Sequence, residues 1–153
     1  MSTSLHGVQA TQAVHDTATT RLRKVRQRYT RGRQVLIDVL AGAGRPLSIP
    51  EILATDPSIP QSSVYRNLTV LEQAGVVRKV QGGDEFSRFE LAEDLTTHHH
   101  HLVCVSCGSV DDYTVPLRFE RTMARAIDEV AAETGFRADF HRLDLVGVCA
   151  RCA

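Results

Sequence analysis

Three features of this 153-residue chain predict an α+β fold, an N-terminal winged helix-turn-helix followed by a small α/β dimerisation domain with a four-cysteine zinc site. The first half carries three helical stretches and then two β-prone runs around a Gly-Gly-Asp turn, the pattern of a winged helix-turn-helix. The second half runs β-β-α-β, an order that builds a small sheet unit of the kind that pairs with a copy of itself. All four cysteines fall in two Cys-x-x-Cys pairs, Cys104/Cys107 and Cys149/Cys152, each able to supply half of a tetrahedral thiolate cage.

Residues 1–20 are rich in Ser, Thr, Ala and Gln, so a flexible tail is expected there, helical only near its end. A helix is predicted from Thr30, with Val35, Leu36, Val39 and Leu40 as its buried stripe and Gly42 and Gly44 as its stop. Ser48-Ile49-Pro50-Glu51 is a capping box with proline preset for a helix start, opening a short second helix that ends near Ala54. Beyond Pro57 and Pro60 a third helix is predicted over 61–74, with Val64, Leu68 and Leu71 at i, i+4, i+7 and Gly75 at its C-terminal stop. Strands are predicted over 76–80 and 86–91, joined at Gly82-Gly83-Asp84.

After a polar connector over 93–97, strands are predicted over 98–105, 110–115 and 140–148. A helix over 117–133 carries the stripe Phe119, Met123, Ile127, Val130. The chain therefore divides into a flexible tail (1–20), a winged-helix DNA-binding domain (21–92) and a metal-binding dimerisation domain (93–153).

Hydrophobic residues make up 42% of the chain, enough for a core, although aromatics are only 5% and Trp is missing. No run has the length of a membrane span and the N-terminus has no apolar signal core, so a cytoplasmic protein is expected, with no membrane partner. Thiols stay reduced in that compartment, which favours metal over disulfide for the paired cysteines.

The formal net charge of zero hides a split: residues 1–80 hold 11 Lys/Arg against 5 Asp/Glu, and residues 81–153 hold 7 against 13. Arg21, Arg23, Lys24, Arg26, Arg28, Arg31 and Arg33 crowd into one basic run, a density suited to neutralising phosphates of double-stranded DNA. In Gln61-Ser62-Ser63-Val64-Tyr65-Arg66 the polar groups occupy the first turns of the third helix. Tyr65 and Arg66 lie off its apolar stripe, free to meet phosphates or base edges.

A closed Cys104, Cys107, Cys149, Cys152 cage would hold structural Zn²⁺; the competing readings are a redox dithiol and a heat-shock-type redox switch. Ahead of the first pair stands His98-His99-His100-His101. Alternation along a strand sends His99 and His101 to one face and His98 and His100 to the other, so one run can feed two metal sites. Glu90 and Asp112 are placed to join the first pair, and Glu120 on the helix and His141 on the last strand to join the second. The bland alternative leaves each carboxylate on a solvated surface.

These residues resemble the ferric uptake regulator family of metal-responsive repressors. The resemblance rests on Thr30-Arg31-Gly32-Arg33, Ser63-Val64-Tyr65-Arg66, Phe89-Glu90-Leu91, the run from His98 to Gly108, His141, and Cys149-Ala150-Arg151-Cys152. It implies a homodimer on a palindromic, AT-rich operator, with the four cysteines on structural zinc. Glu90, His99, His101 and Asp112 would form a regulatory hinge site for Fe²⁺, Mn²⁺ or Zn²⁺, and His98, His100, Glu120 and His141 a second site. Arg31 and Arg33 would touch the DNA backbone or minor groove, while Ser62, Ser63, Tyr65 and Arg66 would work in the major groove.

Two departures stand out. Many members offer a hinge histidine ahead of the second helix, where this chain has Arg45-Pro46-Leu47-Ser48; with no His between residues 16 and 97, His6 and His15 are the alternatives. Zinc-sensing relatives often place Asp after the recognition helix and Cys before the histidine run. Here Arg78 follows Val76-Val77 and no Cys precedes Cys104, which leaves a nitrogen/oxygen site. The expected function is a metal-dependent repressor of metal uptake or homeostasis genes, not an enzyme. The alternatives are a peroxide- or redox-sensing regulator, a zinc-sensing regulator and, further off, a zinc hydrolase.

Overall fold

The computed structural model describes the backbone of residues 4–153 and side chains from residue 12 onward. In chain order the elements are α1 (Ser4–Lys24), α2 (Arg31–Ala43), β1 (Leu47–Ser48), α3 (Ile49–Thr55), α4 (Gln61–Gln73), β2 (Val77–Gln81), β3 (Ser87–Leu91), a 3₁₀ turn (Glu93–Leu95), β4 (His100–Cys104), β5 (Val110–Tyr113), α5 (Leu117–Thr134) and β6 (Asp144–Gly147). They form two sheets, β1-β3-β2 and β5-β4-β6. This is the predicted α+β class, a unit of four helices, α1 to α4, with a β-hairpin wing, followed by a β-β-α-β unit.

The winged unit forms for reasons visible in its caps and stripes. The Thr30 side chain accepts from the Arg33 N–H to start α2, and Gly44 ends it in the left-handed region at φ 64°. Ser48 and Glu51 form both halves of the capping box on α3. Val64, Leu68 and Leu71 of α4 are at or below 1% exposure and pack with Leu36, Ile37 and Leu40 of α2. Fully burying side chains of this kind contributes about 1.5–3 kcal/mol each.

Three expectations change here. In place of a flexible tail over 1–20, α1 is helical from Ser4. Ala18 and Leu22 are fully buried and Val14 packs against the same core, an i, i+4, i+8 stripe hidden among small polar residues. The strand expected over 98–105 begins at His100, and that expected over 140–148 is only Asp144–Gly147, so His141 sits on the approach to β6 and not within it. The predicted stripe of α5 exists but is not covered: Phe119 is 45% and Val130 54% exposed, and no α5 residue is buried.

The two units touch at the wing. Val80 of β2 forms a small buried cluster with Val103 of β4 and Val110 of β5. At the tip of the hairpin a Cβ on Gly83 would lie 2.3 Å from the Cys104 carbonyl oxygen, so only glycine permits this approach. Asp84 takes both ends of the buried Arg88 guanidinium at 2.6 and 2.9 Å. β6 pairs parallel with β4, His101 opposite Asp144, after a crossover through α5.

Candidate metal centres and recognition helix

The four cysteine sulfurs gather at one point. Cys104 ends β4 and Cys107 stands in the turn after it, the turn after β6 carries Cys149 and Cys152, and all four sulfurs lie within 4.8 Å of one another. Cys107 and Cys149 sulfurs are 3.8 Å apart. That matches the edge of a tetrahedron with zinc–sulfur bonds of about 2.3 Å, roughly 3.8 Å. The backbone N–H groups of Cys107 and Cys149 donate to Cys104 and draw its thiol down to about 6. Cys152 goes the other way: Ser106 pulls it down, but the neighbouring thiols Cys149 and Cys107 drive it up to about 11. Four thiolates so close oppose one another's ionisation, which a dication removes; the donor set fits Zn²⁺.

The histidine run divides as strand alternation requires. Glu90 of β3, His99, His101 of β4 and Asp112 of β5 form one cluster within 4.8 Å. Both imidazole Nε2 atoms stand 3.2 Å from Glu90 Oε2 and 3.8 and 3.9 Å from Asp112 Oδ1. The remaining ring nitrogens are fixed from behind. His99 Nδ1 donates to the Thr97 carbonyl at 2.7 Å, and His101 Nδ1 faces Asp144 at 3.3 Å. A carbonyl only accepts, so His99 carries a proton on Nδ1, and its Nε2, which faces Glu90, is the nitrogen that a cation in the cluster would take.

Burial would raise the Glu90 carboxyl, but the hydrogen bond from His101 and the charge of Arg78 outweigh it and bring it down to about 2. Burial likewise opposes protonation of His101, yet Glu90 and Asp144 raise it above its ordinary value. Asp112 is raised by burial first, with His99 pulling the other way. Two imidazoles and two carboxylates fit Fe²⁺, Mn²⁺ or Zn²⁺. A cavity of about 320 Å³, lined by Gly44, Arg45, Thr97, His99 and Asp112, opens onto the cluster.

His98, His100, Glu120 and His141 form the second nitrogen/oxygen cluster, again within 4.8 Å. His100 Nε2 meets Glu120 Oε1 at 2.5 Å, His98 Nε2 lies 3.4 Å from the same oxygen, and His141 Nε2 lies 3.4 Å from Glu120 Oε2. The hydrogen bond from His100 outweighs desolvation and lowers the Glu120 carboxyl. His141 Nε2 is buried without a hydrogen bond of acceptable geometry. An imidazole lone pair orphaned beside a carboxylate and two further imidazoles is what a bound cation would satisfy.

Neither alternative for an extra hinge ligand is met among the described side chains. His15 uses both ring nitrogens elsewhere, on Tyr29 and, at 2.7 Å, on Asp38. The His6 side chain lies outside the described residues. Arg45 lines the hinge cavity from the loop before α3, but its guanidinium turns to Glu51 at 2.9 Å.

Sequence reasoning missed the supporting shell of Thr97, Asp144, Glu93 and Arg78. Glu93 takes His98 Nδ1, and Arg78 Nε donates to Glu90 at 2.5 Å. Asp144 carried a faint signal, three residues beyond His141; the others carried none.

On the winged unit, α4 presents Ser62, Arg66 and a 54% exposed Tyr65 to solvent, with Ser63 half-buried. Arg31 is exposed at the start of α2, with Arg23, Lys24, Arg26 and Arg28 nearby in the chain. Arg33 behaves differently. Its nitrogens donate to the Arg28 carbonyl, to Gln27 at 3.0 Å and to Asn67 of α4 at 3.3 Å. It therefore ties the basic segment to α4, and a free phosphate contact would need it to leave these partners. Arg21 is similarly engaged, donating to the Gly75 carbonyl at 2.6 Å and pairing with Asp94. No helix among the described residues is long and apolar enough to cross a membrane.

Comparison with known proteins follows the same lines. The model of the Ferric uptake regulator family matches residues 24–146. The ferric uptake regulation protein of Bacillus subtilis (strain 168) is 37% identical over 98 residues, spanning 63% of this chain and 62% of that protein, under two thirds of its length. The peroxide-responsive repressor PerR of Staphylococcus epidermidis is 34% identical over 137 residues, 86% of this chain and 85% of that one. The solved Vibrio cholerae ferric uptake regulator superposes with a TM-score of 0.65 at 28% identity, covering 86% of this chain and 98% of its own.

Proposed function

The chain belongs to the ferric uptake regulator family, and from that premise we propose that it is a cytoplasmic, metal-dependent transcriptional repressor acting as a homodimer on a palindromic, AT-rich operator. It would control metal uptake or homeostasis genes as an iron-type or related divalent-metal sensor. Regulators of this family are DNA-binding dimers, not enzymes. The observation that carries the reading is the hinge cluster, whose ligands come from both units: Glu90 from β3 of the wing, and His99, His101 and Asp112 from the second unit. The division at residues 92/93 falls between these contributions.

A divalent cation at the hinge supplies the positive centre that these four donors share. Glu90 then fixes β3, and with it α4 packed on the same core, relative to the second unit. The hinge donors bind the cation only where the units are closed on one another, so occupancy favours that arrangement over open ones. The homodimer is supported by apolar surface that the second unit leaves uncovered: Leu145 and Val146 of the edge strand β6 are 50% and 67% exposed, and Phe119 and Val130 of α5 45% and 54%. In a dimer the two α4 helices, with Ser62, Ser63, Tyr65 and Arg66, would be presented at a spacing set by the hinges. Cys104, Cys107, Cys149 and Cys152 would fasten the C-terminus with structural zinc.

The test is operator binding titrated with Fe²⁺, Mn²⁺ and Zn²⁺ under reducing, anaerobic conditions. Chelation of the hinge ion is expected to abolish DNA binding while the dimer persists. Equal affinity with and without chelator would sink the sensing model. A second reading, peroxide sensing, is favoured by the similarity to the Staphylococcus repressor and by the two imidazoles that an oxidant formed at Fe²⁺ would meet. Peroxide treatment would then add 16 Da, one oxygen atom, to His99 or His101. Unmodified histidines with intact thiols remove that option.

A further inference from the structure

We propose that Arg78 and Glu93 are positioning residues that bridge the two histidine sites, so that filling one site weakens the other. The inference rests on reading both clusters as divalent-cation sites, and its test separates the two claims. The contacts form an unbroken chain. Arg78 Nε donates to Glu90 Oε1 at 2.5 Å, Arg78 Nη1 reaches Glu93 Oε2 at 3.4 Å, and His98 Nδ1 donates to Glu93 Oε1. Each carboxylate is therefore two-sided. Glu90 turns its other oxygen to His99 and His101, and Glu93 turns its other oxygen to His98.

Water screens the bridge least at its hinge end, where Glu90 is 7% exposed against 26% for Arg78 and Glu93. A guanidinium suits the position because it stays charged and its planar fork can hold two carboxylates at once, which an ammonium does less well. At the hinge, Arg78 claims one Glu90 oxygen and leaves a single oxygen for a cation, with a fixed positive charge behind it. At the second site, Glu93 accepts the Nδ1 proton of His98 and so presents Nε2 to Glu120, 3.4 Å away.

The sign of the coupling follows from these contacts. Once Glu90 Oε2 shares its charge with a cation, the carboxylate holds Arg78 less tightly and the guanidinium leans on Glu93. Glu93 is then a weaker acceptor for His98, and His98 a weaker base toward the second site. Linkage makes the effect reciprocal. This also gives a role to the arginine that follows Val76-Val77, which the cysteine, histidine and DNA-facing sets leave unused.

The experiment is calorimetric titration of Co²⁺ into the full chain with zinc already in the cysteine cage. The wild type is compared with His101→Ala, which isolates the second site, and His100→Ala, which isolates the hinge. Each site is expected to bind about fivefold or more weakly when the other is filled. Arg78→Gln should remove that difference, and the charge-preserving Arg78→Lys should reduce it, because an ammonium holds two carboxylates at once less well. Glu93→Gln should weaken the second site by about tenfold, as loss of a supporting partner does. It should also weaken the hinge, because Arg78 is left wholly to Glu90. A Glu93→Gln effect confined to the second site overturns the bridge, as does undiminished coupling in Arg78→Gln. Wild-type protein that takes up no Co²⁺ beyond the cysteine cage overturns the metal reading itself.

Discussion

Between α2 and β3 the chain closes around Leu36, Ile37, Ile52, Leu68 and Leu71, each at or below 1% exposure. Beyond residue 92, Val103, Cys104 and Val110 are the buried hydrophobics among the described residues. The second unit instead buries His100 and His101, and leaves all four residues of β6 and every residue of α5 outside a core. The two units are thus ordered by different physics. Apolar contact holds the winged unit, whereas convergent donor atoms tie the second unit across its sheet and to the wing. A unit with its own core can move as a body, and a unit tied through clustered donor atoms would respond to whatever those donors bind.

Removing a sulfur puts this contrast under the greatest load. Cys104→Ser leaves three thiols and opens the cage between the β4 and β6 turns. Apparent binding energies for structural zinc are about 10–16 kcal/mol. Two buried valines contribute about 1.5–3 kcal/mol each and cannot replace that. Hydrogen exchange read by mass spectrometry is expected to show β4, β5 and β6 losing protection while residues 31–91 keep theirs. Retained protection in β4 would mean that the second unit has a sufficient core after all.

The converse change is Leu68→Ala, which hollows the contact between α4 and α2. A fully buried leucine truncated in this way costs about 2–5 kcal/mol. The expected result is a lower melting temperature for the winged unit with zinc content unchanged. If the zinc leaves with the leucine, the units are energetically one body, and the Val80–Val103–Val110 contact is stronger than its area implies.

The helices and caps of the winged unit were open to reasoning from sequence because they concern residues whose neighbours in the chain are their neighbours in space. The Leu68 stripe is helical spacing, and the Ser48–Glu51 box is a local contact. The grouping of the ligands was legible for another reason. Few residue types donate to metals, and alternation divides four adjacent histidines between two faces. What stayed hidden depends on long-range placement. Asp144 reaches His101 only because β6 runs parallel to β4 after the α5 crossover. Arg78 and Glu93 are ordinary surface types whose role arises from facing the hinge. The α1 stripe was masked by its small residues, and the α5 stripe was legible as apolar although no described residue buries it.

The smallest of these effects tests whether the hinge ligands hold the units together without a cation. Glu90 and His101 form one ion pair across the boundary, so their displacements describe a single contribution. Glu90 is depressed from 4.5 to about 2, and its share is present above 4.5 and lost as pH falls toward 2. His101 is raised above 6.5, and its share is present below 6.5 and lost as pH rises through its folded value. The alkaline side is the informative one, because acid also protonates the thiolates and empties the cage. In protein with zinc in the cysteines and none at the hinge, Glu90→Gln is expected to lower stability at pH 6 by about 1.5 kcal/mol. That is the lower end for a hydrogen bond to a charged group, because His101 keeps Asp144 as a partner. The gap between wild type and variant should narrow as pH rises above 6.5 through the folded value of His101, leaving the share that Arg78 contributes. A gap that does not narrow would mean that Arg78, on the same wing, carries the whole contribution of Glu90, and the cation alone would then be what joins the two units.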